Sequence, residues 1–246
     1  MSNPFIFVPI ATFGTSFISG LTGLGGGAIL MGFLGSILNP IQAIYLHACF
    51  QALSNIFRLC IHWKDVDKFV FMFFSITVLP GSYLGAQLLG SLPVHILRIV
   101  LGIGLLLSLI PKKKKQKDLP GFAYSILGFL AGLMGCLMGA VGPLLARFLL
   151  RPGMSHGYFV GTKSACQFIV HLGKVLFLGK IAVENSIMTD PYILIGFAGI
   201  FFGNYIAKFV GKKIPKETFQ KLVKLLLLLI GCQLILKGLN FYFHLW

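Results

Sequence analysis

Lys163 and Gln167 stand one helical turn apart in an apolar run, and Gln51 and Asn55 repeat that spacing 112 positions earlier. Residues four apart share a helix face, so each run presents a polar pair on one side. An ammonium with amide N–H groups is a donor set for an anion. Thr162 adds a hydroxyl. The successive glycines Gly25, Gly26 and Gly27, with Gly139 placed 112 positions after Gly27, add backbone N–H groups that a ligand can approach closely. His47, one turn before Gln51, and His171, one turn after Gln167, are the proton-linked candidates. The six acidic residues, Asp65, Asp67, Asp118, Glu184, Asp190 and Glu217, fall in loops or at segment ends. Carboxylate-relay pumps place such a group inside the membrane. HExxH, GxSxG and paired membrane aspartates are missing too. The expectation is a binding site with no catalytic residue, no cofactor and no metal.

The elements that carry these residues must be membrane helices. The chain has 246 residues, 57% hydrophobic and 11% charged, with mean hydropathy +0.89; a soluble surface needs about a quarter of charged side chains. Lys and Arg number 21 against 6 acidic residues. In so apolar a chain that excess is topological, and no nucleic-acid partner is expected. Cys49, Cys60, Cys136, Cys166 and Cys232 occur singly and read as small packing residues. The start, MSNPFIFVPI, lacks the basic residues that lead a secretory signal.

The chain reads as two copies of one unit. Gly20, Gly23, Gly27 and Pro40 reappear 112 positions later as Gly132, Gly135, Gly139 and Pro152, and PGSYLGAQLLGSLP at Pro80–Pro93 matches FGNYIAKFVGKKIP at Phe202–Pro215 at 122. Repeat 1 spans 1–111, with a hairpin at 4–38 and helices at 41–63, 69–89 and 93–110. A basic cytoplasmic linker spans 112–120. Repeat 2 spans 121–246, with a hairpin at 121–150 and helices at 155–179, 191–211 and 216–239. The predicted fold is an all-α polytopic membrane protein of two inverted repeats, each a glycine-broken, re-entrant hairpin plus three transmembrane helices. Inversion follows from the charges: an odd number of crossings per copy puts Arg58, Lys112–Lys115, Arg147, Arg151, Lys212 and Lys213 at or near the cytoplasmic side and leaves Arg98, Lys174, Lys180 and Lys237 toward the outside, as the positive-inside tendency requires. Five full crossings per copy give the same sidedness. Lys163 then lies about 16 Å past Pro152, at ~1.5 Å per residue, near the bilayer centre. An interrupted helix restarts with free N–H groups and a positive dipole end, the usual anion site of inverted-repeat transporters.

The motif SGLTGLGGGAIL at Ser19–Leu30, followed by Pro40 and Ala43, resembles the first repeat of the TauE/SafE sulfite-exporter family, and AGLMGCLMGAVGPLL at Ala131–Leu145 resembles its second. The resemblance spans the chain. It implies a small permease of the bacterial inner membrane that moves sulfite, organosulfonates or related small anions. Joined to the residue-level reading, it predicts alternating access past a midplane site, with a passive channel, a proton-coupled organic-acid permease and an intramembrane enzyme as alternatives. With no membrane carboxylate, electrogenic export is the default direction, since a monovalent anion leaving a negative interior gains about 2.3 kcal/mol per 100 mV.

Inversion has a direct check. Single cysteines introduced at Ser2, Lys115, Lys212 and His244 should react with an impermeant reagent in intact cells only at positions 2 and 244; labelling at 115 and 212 refutes it.

Overall fold

A computed structural model describes residues 4–22, 25–110, 119–149, 153–183, 189–210 and 216–243. Lys112–Lys115, Arg151, Lys212 and Lys213, on which the charge sorting leaned, lie outside them. The described residues form ten α-helices: α1 Val8–Thr22, α2 Gly26–Ile37, α3 Pro40–Ile61, α4 Lys68–Ser91, α5 Val94–Leu107, α6 Gly121–Met138, α7 Gly142–Leu149, α8 His156–Val183, α9 Pro191–Val210 and α10 Lys216–Phe243. Short 3-10 turns occur at Pro4–Phe7 and Trp63–Asp65.

Local chemistry sets the starts of the helices. Asn39 Oδ1 accepts from the Ile41 N–H at 3.1 Å ahead of Pro40, and Asp190 Oδ1 accepts from the Tyr192 N–H at 2.9 Å ahead of Pro191. In each, a side-chain cap satisfies an orphan donor while proline, which has none, opens the helix. Asp67 caps α4 through Val70 and Ser155 caps α8 through Tyr158. The long first and fifth segments do break where glycine is densest. Gly25, before α2, has φ 88° and Gly139, after α6, has φ 70°, left-handed conformations that only glycine enters readily.

Pro40–Ile61, Lys68–Ser91, Gly121–Met138 and Pro191–Phe209 are long and apolar enough to cross a membrane. The surface agrees with that. Large apolar side chains face outward, Ile10, Phe122, Leu236 and Phe209 among the most exposed, while His47, Gln51, Asn55, Arg58, Lys163, Gln167, His171, Lys174 and Asn204 are buried. The chain is a multi-pass membrane protein. Cys136 and Cys166 are buried as expected, but Cys60 and Cys232 are exposed on the outer helical faces.

The helices pack in pairs that map onto each other when the copies are exchanged. α1 lies along α9 and α6 along α4, while α3 lies along α8 and α5 along α10. Small residues make both contacts possible. A Cβ on Gly199 of α9 would meet Thr12 Oγ1 of α1 at 2.7 Å, and one on Gly128 of α6 would meet Thr77 Oγ1 of α4 at 2.8 Å. Likewise Gly20 faces Ala207, and Gly85 faces Cys136. Such small-residue seams let membrane helices approach closely.

These contacts correct the register of the duplication. Thr22 and Met138 end their helices, Gly26 and Gly142 begin the next and Pro40 and His156 begin the third, each pair 116 apart rather than 112. The discrepancy is one helical turn. Glycines recurring every three or four residues match almost equally well after such a slip, with Gly23 falling on Gly139.

The seam yields a paired expectation. Gly85→Val would drive its side chain toward Leu133 O and Cys136 Cβ, 2.7 and 2.9 Å from the Cβ position, and should cost about 1–3 kcal/mol. Gly90→Ala on the same helix meets nothing within 4 Å and should be neutral or stabilise by up to about 1 kcal/mol. Thermal unfolding of the detergent-purified protein checks both.

Candidate anion-binding site

Two helix starts, at Gly26 and Gly142, come together over the central pair α3 and α8. They border a small cavity lined by Gly25, Gly27 and Ala28 at the start of α2, Ala140, Gly142 and Pro143 at the start of α7, Ser19 of α1, and His47, Gln51, Arg58, Lys163, Gln167 and His171. In α2 the first intrahelical bond runs from Ile29 N–H to Gly25 O, and in α7 from Leu145 N–H to Val141 O. Gly26, Gly27, Ala28, Gly142 and Leu144 therefore keep N–H groups outside the ladder. Gly25 supplies no side-chain cap. Both helix starts present the positive end of a dipole to the same space.

Glutamines hold the two starts alike. A Cβ at Gly27 would meet Gln51 Oε1 at 3.1 Å, and one at Gly142 would meet Gln167 Nε2 at 2.5 Å, so each glycine makes room for an amide from its own central helix. The cations are deep: Lys163 is 4% exposed and Arg58 5%. Arg58 is fixed by Ser54, its Nε donating to the Ser54 carbonyl at 3.1 Å and a terminal nitrogen to Ser54 Oγ at 3.2 Å. Asn204 Nδ2 donates to the same Oγ at 3.0 Å, which ties α9 to the guanidinium. Among the described residues the lining includes no carboxylate.

Behind the lining, each break is latched through a carbonyl. His47 Nε2–H donates to Gly27 O at 2.8 Å, and Lys174 Nζ donates to Gly139 O at 2.7 Å. Lys174 has no exposed surface. It sits where α6 ends, and a cation there offsets the negative end of the helix dipole.

The structure thus brings Lys163, Gln51, Gln167, Gly25, Gly27, His47 and His171 to one cavity. Four of the expected residues are not in its lining and make other contacts. Thr162 Oγ1 accepts from the Asp67 N–H at 2.9 Å, turned to the α3–α4 connection. Asn55 Nδ2 donates to Gln51 O at 2.7 Å within α3. Gly139 packs on Met31, and Gly26 on Thr15 O and Ser19 Oγ. Arg58 and Lys174 went unrecognised, Arg58 assigned to the cytoplasmic rim and Lys174 to the outer side. In the 116 register the signal is plain: His47, Gln51, Asn55 and Arg58 fall on Lys163, Gln167, His171 and Lys174, one polar stripe per central helix.

The family model of sulfite exporter TauE/SafE matches residues 8–234. The chain belongs to that family. It is also similar to the probable membrane transporter protein YunE of Bacillus subtilis (strain 168), 24% identical over 266 residues that cover 90% of this chain and 94% of that protein. No solved structure matches the chain. A TauE/SafE protein is a membrane transporter, and in this member the cavity between the two helix breaks brings buried cations and helix-start N–H groups together.

Gly26→Leu should abolish transport in proteoliposomes, because its side chain would strike Thr15 O and Ser19 Oγ where α2 begins. Ile10→Ala, at a site 70% exposed on α1, should leave the rate unchanged.

Proposed function

We propose that the protein carries a small anion, a sulfur oxyanion or sulfonate such as sulfite, across the bacterial inner membrane by alternating access. One observation carries the proposal: two helix starts with N–H groups outside the ladder and two buried cations, Arg58 and Lys163, face a single cavity with no carboxylate among the described residues of its lining. Backbone N–H groups at a helix start and a guanidinium fork both favour oxyanions, and the same set repels cations. The family supplies the substrate class; the lining supplies the charge.

The alternating-access part draws support from the exchange of packing pairs between the copies. Each copy contributes five helices, and α2 and α7, with 12 and 8 residues, are far short of the ~20 needed to cross. Folded back as hairpins with α1 and α6 they leave three crossings per copy, and five full crossings are odd as well; either count inverts the second copy. Rocking of such copies about a fixed central site is the usual carrier motion. A passive channel could use the same lining; countertransport of labelled substrate in liposomes occurs only for a carrier.

The test is thermal stabilisation of the purified protein across sulfite, thiosulfate, sulfonates, carboxylates and phosphate. A ligand at 100 times its Kd stabilises by about 2.7 kcal/mol. Lys163→Met should remove that ligand-dependent shift while leaving the unliganded protein as stable or more so, since the cost of burying the charge goes with it. Arg58→Met should also lose the shift. An unchanged ligand response in both variants overturns the site.

A further inference from the structure

Resting on the anion-transport reading above, we propose that His47 and His171 bind one proton together with the transported anion, so that solute and proton cross as a pair. The two imidazoles meet edge to face between α3 and α8, ring centroids 5.4 Å apart and planes at 72°. Each is 1% exposed and each lines the cavity.

Their hydrogen bonding is incomplete in an informative way. A carbonyl only accepts, so the bond from His47 Nε2 to Gly27 O places the proton of the neutral ring on Nε2 and leaves Nδ1 as a bare lone pair. His47 Nδ1 and both ring nitrogens of His171 have no hydrogen-bond partner among the described residues. A buried polar group left in that condition calls for a functional explanation. Here three nitrogens share it, and together they offer one N–H and two lone pairs beside the anion cavity.

The charges around the pair decide what it can do. Those acting on His171 are Lys174 and Lys163 of α8, Arg58 of α3 and His47 itself; Lys174 also acts on His47. Among the described residues, α1, α2 and the α6–α7 junction give the cavity Ser19, Gly25, Gly27, Ala28, Ala140, Gly142 and Pro143, none of which titrates. An imidazolium here would add a fourth positive charge beside a lining whose described residues include no carboxylate. An anion in the cavity is that counter-charge, and by linkage the bound proton strengthens anion binding as much as the anion favours the proton. Protonation adds a donor at Nδ1 of His47 or at the bare nitrogen of His171. With the rings in contact, like-charge repulsion limits the pair to one proton. A monovalent anion carried with it moves no net charge, so the membrane voltage would not drive the cycle.

The experiment is calorimetric titration of the full chain in lipid nanodiscs with methanesulfonate and with sulfate, neither of which titrates near neutral pH, in buffers of different protonation enthalpy. The wild-type protein should take up about one proton per anion bound. His171→Gln should bind with little or no proton uptake. Anion binding without proton uptake by the wild type overturns the proposal, as does an undiminished uptake in both His171→Gln and His47→Gln. If His171→Gln fails to fold, the wild-type stoichiometry and His47→Gln still decide. Absence of binding by either anion, and by every member of the panel above, removes the anion site itself and this inference with it.

Discussion

Three cations, Arg58, Lys163 and Lys174, are held inside a bundle whose outer surface is apolar and whose cavity lining, among the described residues, holds no carboxylate. Burying charge away from water costs several kcal/mol per ion unless polar groups replace the lost hydration. The rest of the structure is arranged around that requirement. Arg58 is met by the carbonyl and hydroxyl of Ser54, and Lys174 by the carbonyl of Gly139. For Arg58 and Lys174 the compensation comes from neutral dipoles, which leave the positive charge of those two groups in place.

The helix breaks serve both sides of this arrangement. Ending α6 at Gly139 frees a carbonyl for Lys174, and starting α2 at Gly26 frees N–H groups for the cavity. Breaking a helix inside an apolar bundle exposes backbone groups that lipid cannot satisfy. They must be enclosed by protein. The glycine seams do this by bringing α1 against α9 and α6 against α4 at backbone distance, which is why so many of the chain's glycines lie on helix faces rather than in turns.

Asn204 links that enclosure to the site. It lies on the α9 face that packs on α1, where a Cβ on Gly20 would come within 3.7 Å of its backbone, and its amide reaches Ser54 beside Arg58. The exchange-related position on α4 holds Ser82, whose carbonyl accepts from Cys136 Sγ at 3.4 Å. The two halves are therefore equivalent in packing but not in chemistry: one central helix carries an arginine supported from α9, the other a lysine turned to the break. A site built this way has a repeated scaffold and a single, asymmetric set of donors.

Much was determined by the sequence alone. Composition made the chain a membrane protein, glycine density located the breaks, and the i, i+4 polar pairs pointed to α3 and α8; these signals are local, set by residue type and helical period. The register between the copies was decided by tertiary structure, because glycines spaced by a turn tolerate a slip of a turn and only side chains in contact, such as Thr12 with Gly199 and Thr77 with Gly128, remove the ambiguity. The same slip hid Arg58 and Lys174. Sorting the charges between the two faces assigned them to opposite rims, whereas their true surroundings depend on where neighbouring helices end. Ser54 meets Arg58 from the same helix, but the carbonyl that Gly139 offers to Lys174 and the amide that Asn204 brings to Ser54 become partners only once the helices are broken and packed.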